Sequence, residues 1–423
     1  MREMKDSGIE WIGQVPNNWK LKKGKYLFKQ HNNRGNLKCL QLLSPSQKFG
    51  VIPQTLLEEL TTQNVVKVSE KANLNDFKTV HVGDFCISLR SFQGGFEYSR
   101  YEGVVSPAYQ VFSAIGDNLC DGYYRYLFKD KSFIDKMNSY TMTLRDGKNI
   151  AFDDFGNTYI PVPPKSEQEK IAGFLDFQCS EIDAISADIQ KEIETLEQYK
   201  CSIITEAVTK GLNPDVEMKD SGTEWIGIVP NNWNLGRIGG FYSLRNEKVS
   251  DKDYPPLSVT MKGILPQLET AAKTNDGDNR KLVRKGDFAI NSRSDRRGSC
   301  GISKYDGSVS LINTVLTPRG EMSAAYYDWV FHCTRFSDEF YRQGHGIVDD
   351  LWTTGWQEMK KIIIPVPPLP EQNRIADYLS SKCSDVDFII SQKKQQVETL
   401  ANYKKTLIYE YVTGKKEVPL YES

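Results

Sequence analysis

Apolar residues recur every three or four positions in two long stretches of the chain. In the first stretch they are Ile182, Ile185, Ile189, Ile193, Leu196, Tyr199 and Ile203. In the second they are Val386, Ile389, Val397, Leu400, Tyr403 and Leu407, with Lys393 at the position that matches Ile189. This spacing predicts two amphipathic helices of the coiled-coil type, each about 40 residues and roughly 60 Å long.

A helix of this length needs a partner for its apolar stripe. The simplest partner is the other helix, in which case the two run antiparallel and form a spacer of fixed length. The alternative is that each helix packs on the globular block beside it. Pro163-Pro164 and Pro367-Pro368 precede the stripes and indicate where the helices begin.

The remaining sequence alternates short strand-like runs with Gly, Asn and Asp, which predicts an α+β fold. It is also written twice. Residues 4–19 return as residues 218–233 with fourteen of sixteen identical, and Ile-Pro-Val-Pro-Pro at 160–164 returns at 364–368. The repetition predicts two globular α/β blocks separated by two long antiparallel helices, with pseudo-twofold symmetry. The predicted blocks are residues 1–160 and 213–364, and the predicted helical segments are residues 161–212 and 365–423.

Each block sends an Arg-Ser pair into a polar loop. Residues 83–91 align with residues 286–294, and each segment reads as a turn into a half-buried strand that ends in Arg-Ser. A second polar loop lies near the end of each block. The candidate nucleic-acid contacts in these loops are Arg90, Ser91, Arg145, Lys148, Asn149, Arg293, Ser294, Arg296, Arg297 and His345. An Arg fork can read guanine or hold phosphate, whereas the alternative for each side chain is a solvated surface group.

Charge is segregated along a chain whose formal net charge is only −1. Residues 279–304 hold eight Lys or Arg against two Asp, whereas residues 166–211 hold ten acids against four bases. A basic surface in the second block would attract phosphate, and the acidic helix would not. Eight scattered cysteines and four histidines without metal-ligand spacing predict reduced thiols and no metal. The polar N-terminus and the short apolar runs predict a cytoplasmic protein that does not enter a membrane.

Catalytic motifs are not found in the sequence. It contains no Asn/Asp-Pro-Pro-aromatic tetrad, Walker loop or Gly-x-Ser-x-Gly. The Gly-Gly string at 92–96 lacks a βαβ context. The Pro-Asp…Glu-x-Lys string at 214–219 places its carboxylates too close together for a nuclease. Both strings therefore read as loop or linker.

The paired motifs resemble the specificity subunit of type I restriction–modification enzymes over essentially the whole chain. They are the two Lys-Asp-Ser-Gly-x-Glu-Trp-Ile-Gly-x-Val-Pro-x-x-Trp segments and the two Ile-Pro-Val-Pro-Pro…Glu-Gln-x-x-Ile-Ala helix starts. Residues 291–315 look like a target-recognition segment of that family. The only departure is Lys393, which interrupts the second stripe.

The resemblance implies that each block recognises one half of a bipartite, asymmetric double-stranded DNA site. It also implies that the helices set the unread spacer and dock two modification subunits. Those subunits would hold S-adenosylmethionine and methylate adenine, and restriction subunits would add ATP- and Mg-dependent cleavage. This chain would hold no cofactor and would not be an enzyme. Two other classes remain open: a self-sufficient methyltransferase or nuclease, and a scaffold that binds only proteins.

Overall fold

The computed structural model describes residues 2–34, 41–61, 76–87, 95–140, 150–267, 277–346 and 352–419. The chain divides into two compact units. Unit 1 contains residues 1–188 and 395–423, and unit 2 contains residues 189–394. Each unit therefore combines one globular block with one segment from each long helix.

Unit 1 is an α+β block joined to helical segments. Its strands are β1 (Met4–Asp6), β2 (Gln14–Pro16), β3 (Lys20–Lys23), β4 (Phe28–His31), β5 (Gln41–Ser46), β6 (Gly50–Pro53), β7 (Lys78–Val80), β8 (Phe85–Ile87), β9 (Phe96–Tyr98), β10 (Gly103–Val105), β11 (Gln110–Ala114) and β12 (Tyr159–Val162). Its short helices are α1 (Gln54–Leu60), α2 (Asp121–Leu127), α3 (Lys131–Ser139) and α4 (Phe152–Asn157). The long helix α5 (Lys165–Lys210) begins here and ends in unit 2.

Unit 2 follows a similar order of elements, with thirteen described strands where unit 1 has twelve. Its strands are β13 (Met218–Asp220), β14 (Ile228–Pro230), β15 (Asn234–Arg237), β16 (Tyr242–Leu244), β17 (Lys248–Val249), β18 (Leu257–Thr260), β19 (Gly263–Pro266), β20 (Arg280–Val283), β21 (Phe288–Asn291), β22 (Cys300–Ile302), β23 (Gly307–Val309), β24 (Asn313–Pro318) and β25 (Ile363–Val366). Its short helices are α6 (Ile238–Phe241), α7 (Ala324–His332), α8 (Thr334–Arg342) and α9 (Trp356–Met359). The second long helix, α10 (Leu369–Val412), begins here and ends in unit 1.

The central sheet has the same strand order in both units. In unit 1 the order is β4-β11-β8-β9, and in unit 2 it is β16-β24-β21-β22. The repeated N-terminal segments also fold alike. Lys5 donates from Nζ to the carbonyls of Asn17 and Trp19, and Lys219 does so to Asn231 and Trp233. These matches confirm the predicted α+β fold with two repeated blocks.

The ends of each long helix pack on the blocks, whereas their middles pack on each other. In unit 1, Ile171 and Leu175 of α5 share a buried cluster with Tyr411 of α10 and the aromatic core of the block. In unit 2, Ile193 of α5 packs against Val386 and Ile390 of α10 in a separate cluster. The two packing arrangements that the sequence left open therefore both occur, along different parts of the helices.

The helical segments run antiparallel within each unit, and matching ion pairs fix their register. Lys404 donates to Asp183 in unit 1, and Lys200 donates to Asp387 in unit 2. These pairs are the same interaction shifted by 204 residues. Lys393 interrupts the apolar stripe, as predicted, and forms an ion pair with Glu192 instead.

Four residues assigned to the contact between the helices lie on its outer flank. Ile185, Tyr199, Ile389 and Tyr403 are all exposed, so the prediction that they pack between the helices is wrong. The contact surface instead includes the partly buried Ser186 and Lys200, each one residue further along the helix. A step of either three or four residues continues the same helix face. The spacing alone therefore does not decide whether the apolar residue or the polar residue after it faces the partner helix. A role for the exposed four in contacts with another subunit stays a prediction.

The remaining assigned residues point inward to different degrees. Those that are buried are Ile182, Ile193, Ile203, Val386 and Leu407. Those that are partly buried are Ile189, Leu196, Val397 and Leu400. When the buried Ile390 and the partly buried Ser186, Lys200, Lys393 and Lys404 are counted with them, the inward-facing positions follow a spacing that alternates between three and four residues along both helices.

The Glu-Gln pair that follows each Pro-Pro has a structural role. Gln372 is buried at the start of α10, where its side chain donates to the carbonyl of Pro367 and accepts from the backbone of Ser323, the residue before α7. Gln168 makes the same two contacts, with Pro163 and Cys120. One amide thus fixes the angle between the long helix and the block in each unit.

We expect Gln372→Ala to destabilise the protein, because it leaves a buried N–H and a buried carbonyl without partners. Each such loss costs about 1–3 kcal/mol. Thermal unfolding of this variant should begin at a lower temperature than that of Gln396→Ala, which removes an exposed amide from the same helix. Equal melting curves for the two variants would show that the buried amide does not hold the helix start.

Candidate nucleic-acid interface

The β21–β22 hairpin carries the first predicted loop of the second block. All four residues of β21 are buried, so the prediction of a half-buried strand is wrong. The strand lies inside the sheet, between β24 and β22, and both of its faces are covered. The turn before it is held by the Asp287 carboxylate, which accepts from Arg245 Nε at 2.6 Å and from the backbone of Arg284 at 2.8 Å. The loop at residues 292–299 therefore projects from a rigid support.

Arg293, Arg296 and Arg297 are exposed on this loop. Arg293 is held at the backbone, where its N–H donates to Asn291 Oδ1 at 3.0 Å. A 3₁₀ turn (Ser294–Arg296) follows, and the backbone of Ser299 closes the loop on the carbonyl of Arg296. The three guanidinium groups thus extend from an ordered backbone into solvent.

Tyr341 of α8 joins this loop to the second predicted loop. Its buried hydroxyl donates to the carbonyl of Asn291 at 3.1 Å and lies 3.3 Å from that of Arg296. The Arg297 guanidinium lies 5.4 Å from the centre of the Tyr341 ring. Burial raises the pKa of the Tyr341 hydroxyl, which keeps it neutral and able to donate.

The two predicted loops of the second block meet at Thr353 and Thr354. Thr353 exchanges backbone hydrogen bonds with His345, and its backbone also forms an isolated antiparallel β-bridge with Arg293. Thr354 donates from its backbone to the carbonyl of Ser292 at 2.9 Å. The structure therefore brings Arg293, Arg296, Arg297 and His345 onto one surface, which we call the recognition surface.

Acidic side chains on the recognition surface neutralise little of its charge. Arg296 lies 3.7 Å from Asp295, and Arg297 lies 3.6 Å from Asp338. These pairs are exposed, and exposed pairs contribute at most about 1 kcal/mol. Both guanidinium groups can therefore turn to a phosphate or a base edge at little cost.

The number of basic residues in 279–304 overestimates the positive charge of the recognition surface. Arg280 is buried, and its guanidinium donates to the hydroxyl and the carbonyl of Ser308. Lys281 donates from Nζ to the carbonyl of Asn313 at 2.7 Å. Both residues lie in β20, where these bonds engage their charged groups within the fold.

Sequence reasoning missed the segment that joins the loops. Thr353, Thr354 and Trp356 line a cleft of about 410 Å³ beside Arg293. Exposed Leu311 and Ile312 lie on its other side. The cleft combines hydroxyl and guanidinium donors with apolar groups, as a base-reading surface requires. The Trp-Thr-Thr-Gly-Trp run at 352–356 was the available signal.

Five predicted contacts of the first block lie outside the described residues. These are Arg90, Ser91, Arg145, Lys148 and Asn149. Ser294 is described for its backbone alone. Among the described residues, no group of three or more His, Cys, Asp or Glu side chains could hold a metal ion. No helix in this described part is long and apolar enough to cross a membrane.

The family model for the type I restriction modification DNA specificity domain matches residues 16–195 and 353–399, more than half of the chain. The chain belongs to this family. The four side chains of the recognition surface lie between the two matched segments, and the match includes Thr353 and Thr354, which hold the loops together.

Two curated relatives of the family come from Methanocaldococcus jannaschii. One is named as the MjaX type I restriction enzyme specificity subunit, and it is 25% identical over 273 residues, 61% of this chain and 59% of the relative. The other is the MjaVIII specificity subunit, 31% identical over 94 residues, 22% of this chain and 20% of the relative. The matched part of the chain thus spans about three fifths of the first relative's length.

Two solved structures share the fold of the specificity subunit family. One is from a study of complex assembly and conformational transition in a type I R-M system, with a TM-score of 0.68 over 95% of this chain and 99% of that chain. The other is the HsdS subunit from Thermoanaerobacter tengcongensis, with a TM-score of 0.51 over 95% and 98%. Both are 14% identical in sequence, so the likeness is one of fold.

Proposed function

We propose that this chain is the DNA-reading subunit of a type I restriction–modification complex, and that each block reads one half of a bipartite site. The observation that carries the proposal is a repeated scaffold with unlike loops. The central sheets share one strand order, whereas the loop sequences diverge after the shared Arg-Ser: Asp-Arg-Arg-Gly follows at 295–298 in the second block, and Phe-Gln-Gly-Gly follows at 92–95 in the first. One scaffold with two loop sets reads two different half-sites, so the proposed site is asymmetric.

The chemistry of the recognition surface supports double-stranded DNA as the ligand. Arg293, Arg296 and Arg297 supply planar donors that can bond guanine O6 and N7 or two phosphate oxygens. The loop backbone is fixed by Tyr341, so little ordering is needed on binding. A protein-only scaffold would not need three exposed arginines on one rigid loop.

In the proposed complex, the long helices would set the distance between the half-sites, and other subunits would catalyse methylation and cleavage. Helices α5 and α10 would set the unread spacer and hold two modification subunits. Those subunits would carry S-adenosylmethionine and methylate adenine, and restriction subunits would use ATP and Mg. The predicted domains, residues 1–160, 161–212, 213–364 and 365–423, would then be two recognition domains and two spacer segments of a cytoplasmic complex.

We expect the purified chain to bind DNA in a salt-dependent way and to transfer no methyl group from S-adenosylmethionine. Adding the modification subunit should produce methylated adenines at one bipartite sequence. Radiolabelled methyl transfer and fluorescence anisotropy at several salt concentrations measure the two properties. Methyl transfer by the chain alone would favour a self-sufficient enzyme, and no DNA binding at low salt would favour a protein scaffold.

A further inference from the structure

Each unit holds a large cleft beside the turn that follows the last strand of its central sheet, β9 in unit 1 and β22 in unit 2. Cleft 1, in unit 1, lies beside the turn after β9 and contains Tyr101 and Arg100. Cleft 2, in unit 2, lies beside the turn after β22 and contains Tyr305 and Lys304. Each has a volume of about 900 Å³. Neither cleft includes a residue of the recognition surface.

The two clefts are built from matching residues. Tyr101 and Tyr305 are 204 positions apart, and so are Arg100 and Lys304. The floor of each cleft includes the repeated ion pair between the helices, Lys404–Asp183 in cleft 1 and Lys200–Asp387 in cleft 2. The polar loops differ in sequence between the blocks, whereas these positions retain an aromatic ring, a cation and an ion pair. A retained surface fits a ligand that is the same at both sites.

The outer part of each cleft is basic. In cleft 1, Lys48 and Arg100 are exposed, and in cleft 2, Lys262 and Lys304 are exposed. None of these four forms an ion pair with a carboxylate of the described residues. Other cations in the clefts are already engaged, such as Lys129 with Glu97 and Lys394 with Glu197. Each cleft thus has two cations available for an acidic ligand.

Apolar side chains lie beside these cations. Cleft 2 contains Met261, which is 72% exposed, and also Tyr305 and Trp329. Cleft 1 contains Leu60, which is 52% exposed, and also Phe49. Exposed apolar groups ringed by charge are typical of protein contacts rather than of phosphate contacts.

We propose that each cleft binds the same acidic segment of a protein partner, anchored by an apolar side chain, so that the chain carries two copies of that partner. The identity of the partner rests on the proposed function, under which it is the modification subunit. The acidic groups meet the exposed cations, and the apolar anchor meets Met261 and Trp329 in cleft 2 or Leu60 and Phe49 in cleft 1.

Charge reversal tests each cleft separately in the full chain. The variants are Lys48→Glu with Arg100→Glu in cleft 1, Lys262→Glu with Lys304→Glu in cleft 2, and all four together. Native mass spectrometry of the chain co-purified with the modification subunit counts the copies bound. We expect two copies on the unaltered chain, one on each double variant and none on the quadruple variant. Each cleft's affinity should fall roughly a hundredfold, because like charges then face each other.

Matched controls distinguish a loss of partner binding from a loss of the fold. Lys131→Glu with Lys252→Glu reverses two exposed lysines outside the clefts and should retain two copies. The same four cleft positions changed to Gln should weaken binding less than Glu does. Melting curves should coincide for all variants, since the altered side chains are exposed. Two copies bound to the quadruple variant would overturn the inference.

DNA binding by the isolated chain distinguishes a failure of the proposed function from a failure of the inference about the clefts. If the unaltered chain binds DNA and two modification subunits, and the quadruple variant loses DNA but keeps both subunits, the clefts are DNA surfaces and this inference is wrong. If the unaltered chain takes no modification subunit, the proposed function fails and the inference fails with it. Loss of both subunits with unchanged DNA affinity is the result we expect.

Discussion

A chain with Arg293, Arg296 and Arg297 all changed to Ala will lose recognition of one half-site and keep its fold. The three side chains are exposed, and Tyr341 holds the loop through backbone carbonyls that the substitutions leave in place. Each bidentate base contact is worth about 1–3 kcal/mol. Removal of two such interactions would lower specific affinity by roughly 30-fold to 20,000-fold.

The salt dependence of binding distinguishes base contacts from phosphate contacts. If the arginines read bases, specific affinity falls while the slope of log affinity against log salt is unchanged. If they hold phosphates, that slope falls by about 0.9 for each phosphate that is no longer neutralised. Fluorescence anisotropy with specific and random duplexes measures both quantities. The control is Lys285→Ala, an exposed cation at the opposite end of β21. Equal affinities for control and triple variant would remove these arginines from the DNA contact.

Inserting seven residues into both long helices will lengthen the unread spacer while both half-sites stay the same. The ion pairs Glu192–Lys393 and Lys200–Asp387 place Leu196 of α5 opposite Ile390 of α10. Insertions after Leu196 and after Ile389 therefore lie at the same position along the axis of the helix pair. Seven residues preserve the alternating spacing of three and four, and they add about 10 Å, or roughly three base pairs.

A one-sided insertion is the matched control. Four residues added after Leu196 alone would move Lys200 one helical turn away from Asp387 and break the contact between the helices. This variant should melt at a lower temperature than the two-sided variant and should methylate poorly. Mapping of methylated adenines reports the spacer. An unchanged spacer with full activity in the two-sided variant would show that the helices do not set the distance.

Most of the structure that the sequence predicts correctly follows from the repeated motifs. Both Pro-Pro…Glu-Gln signatures start long helices, and the aligned Gly-Asp-Phe turns enter matching strands. The exposed positions Ile185 and Tyr199 could not be foreseen, because the partner helix selects the face and a three-residue step looks as good as a four-residue step. Apolar periodicity thus identifies a helix more securely than it identifies the residues in its contact.

The recognition surface was only partly accessible from sequence. Arg293, Arg296, Arg297 and His345 could be selected by residue type and loop context. Thr353 and Thr354 were missed, because they reach the loop through backbone hydrogen bonds that leave no periodic pattern, and the Trp-Thr-Thr-Gly-Trp composition was the signal left to find them. Arg280 shows the opposite error, since a charge count does not reveal that a strand residue is buried.

Exchange of one block tests most directly whether each block reads one half-site. Residues 234–366, from β15 to β25, can be replaced by residues 20–162, from β3 to β12, because both segments begin and end on paired strands that match. The chain then carries the first block twice. With the modification subunit present, mapping of methylated adenines should show the first half-site followed by its inverted copy. Methylation that remains at the original asymmetric sequence would contradict the account.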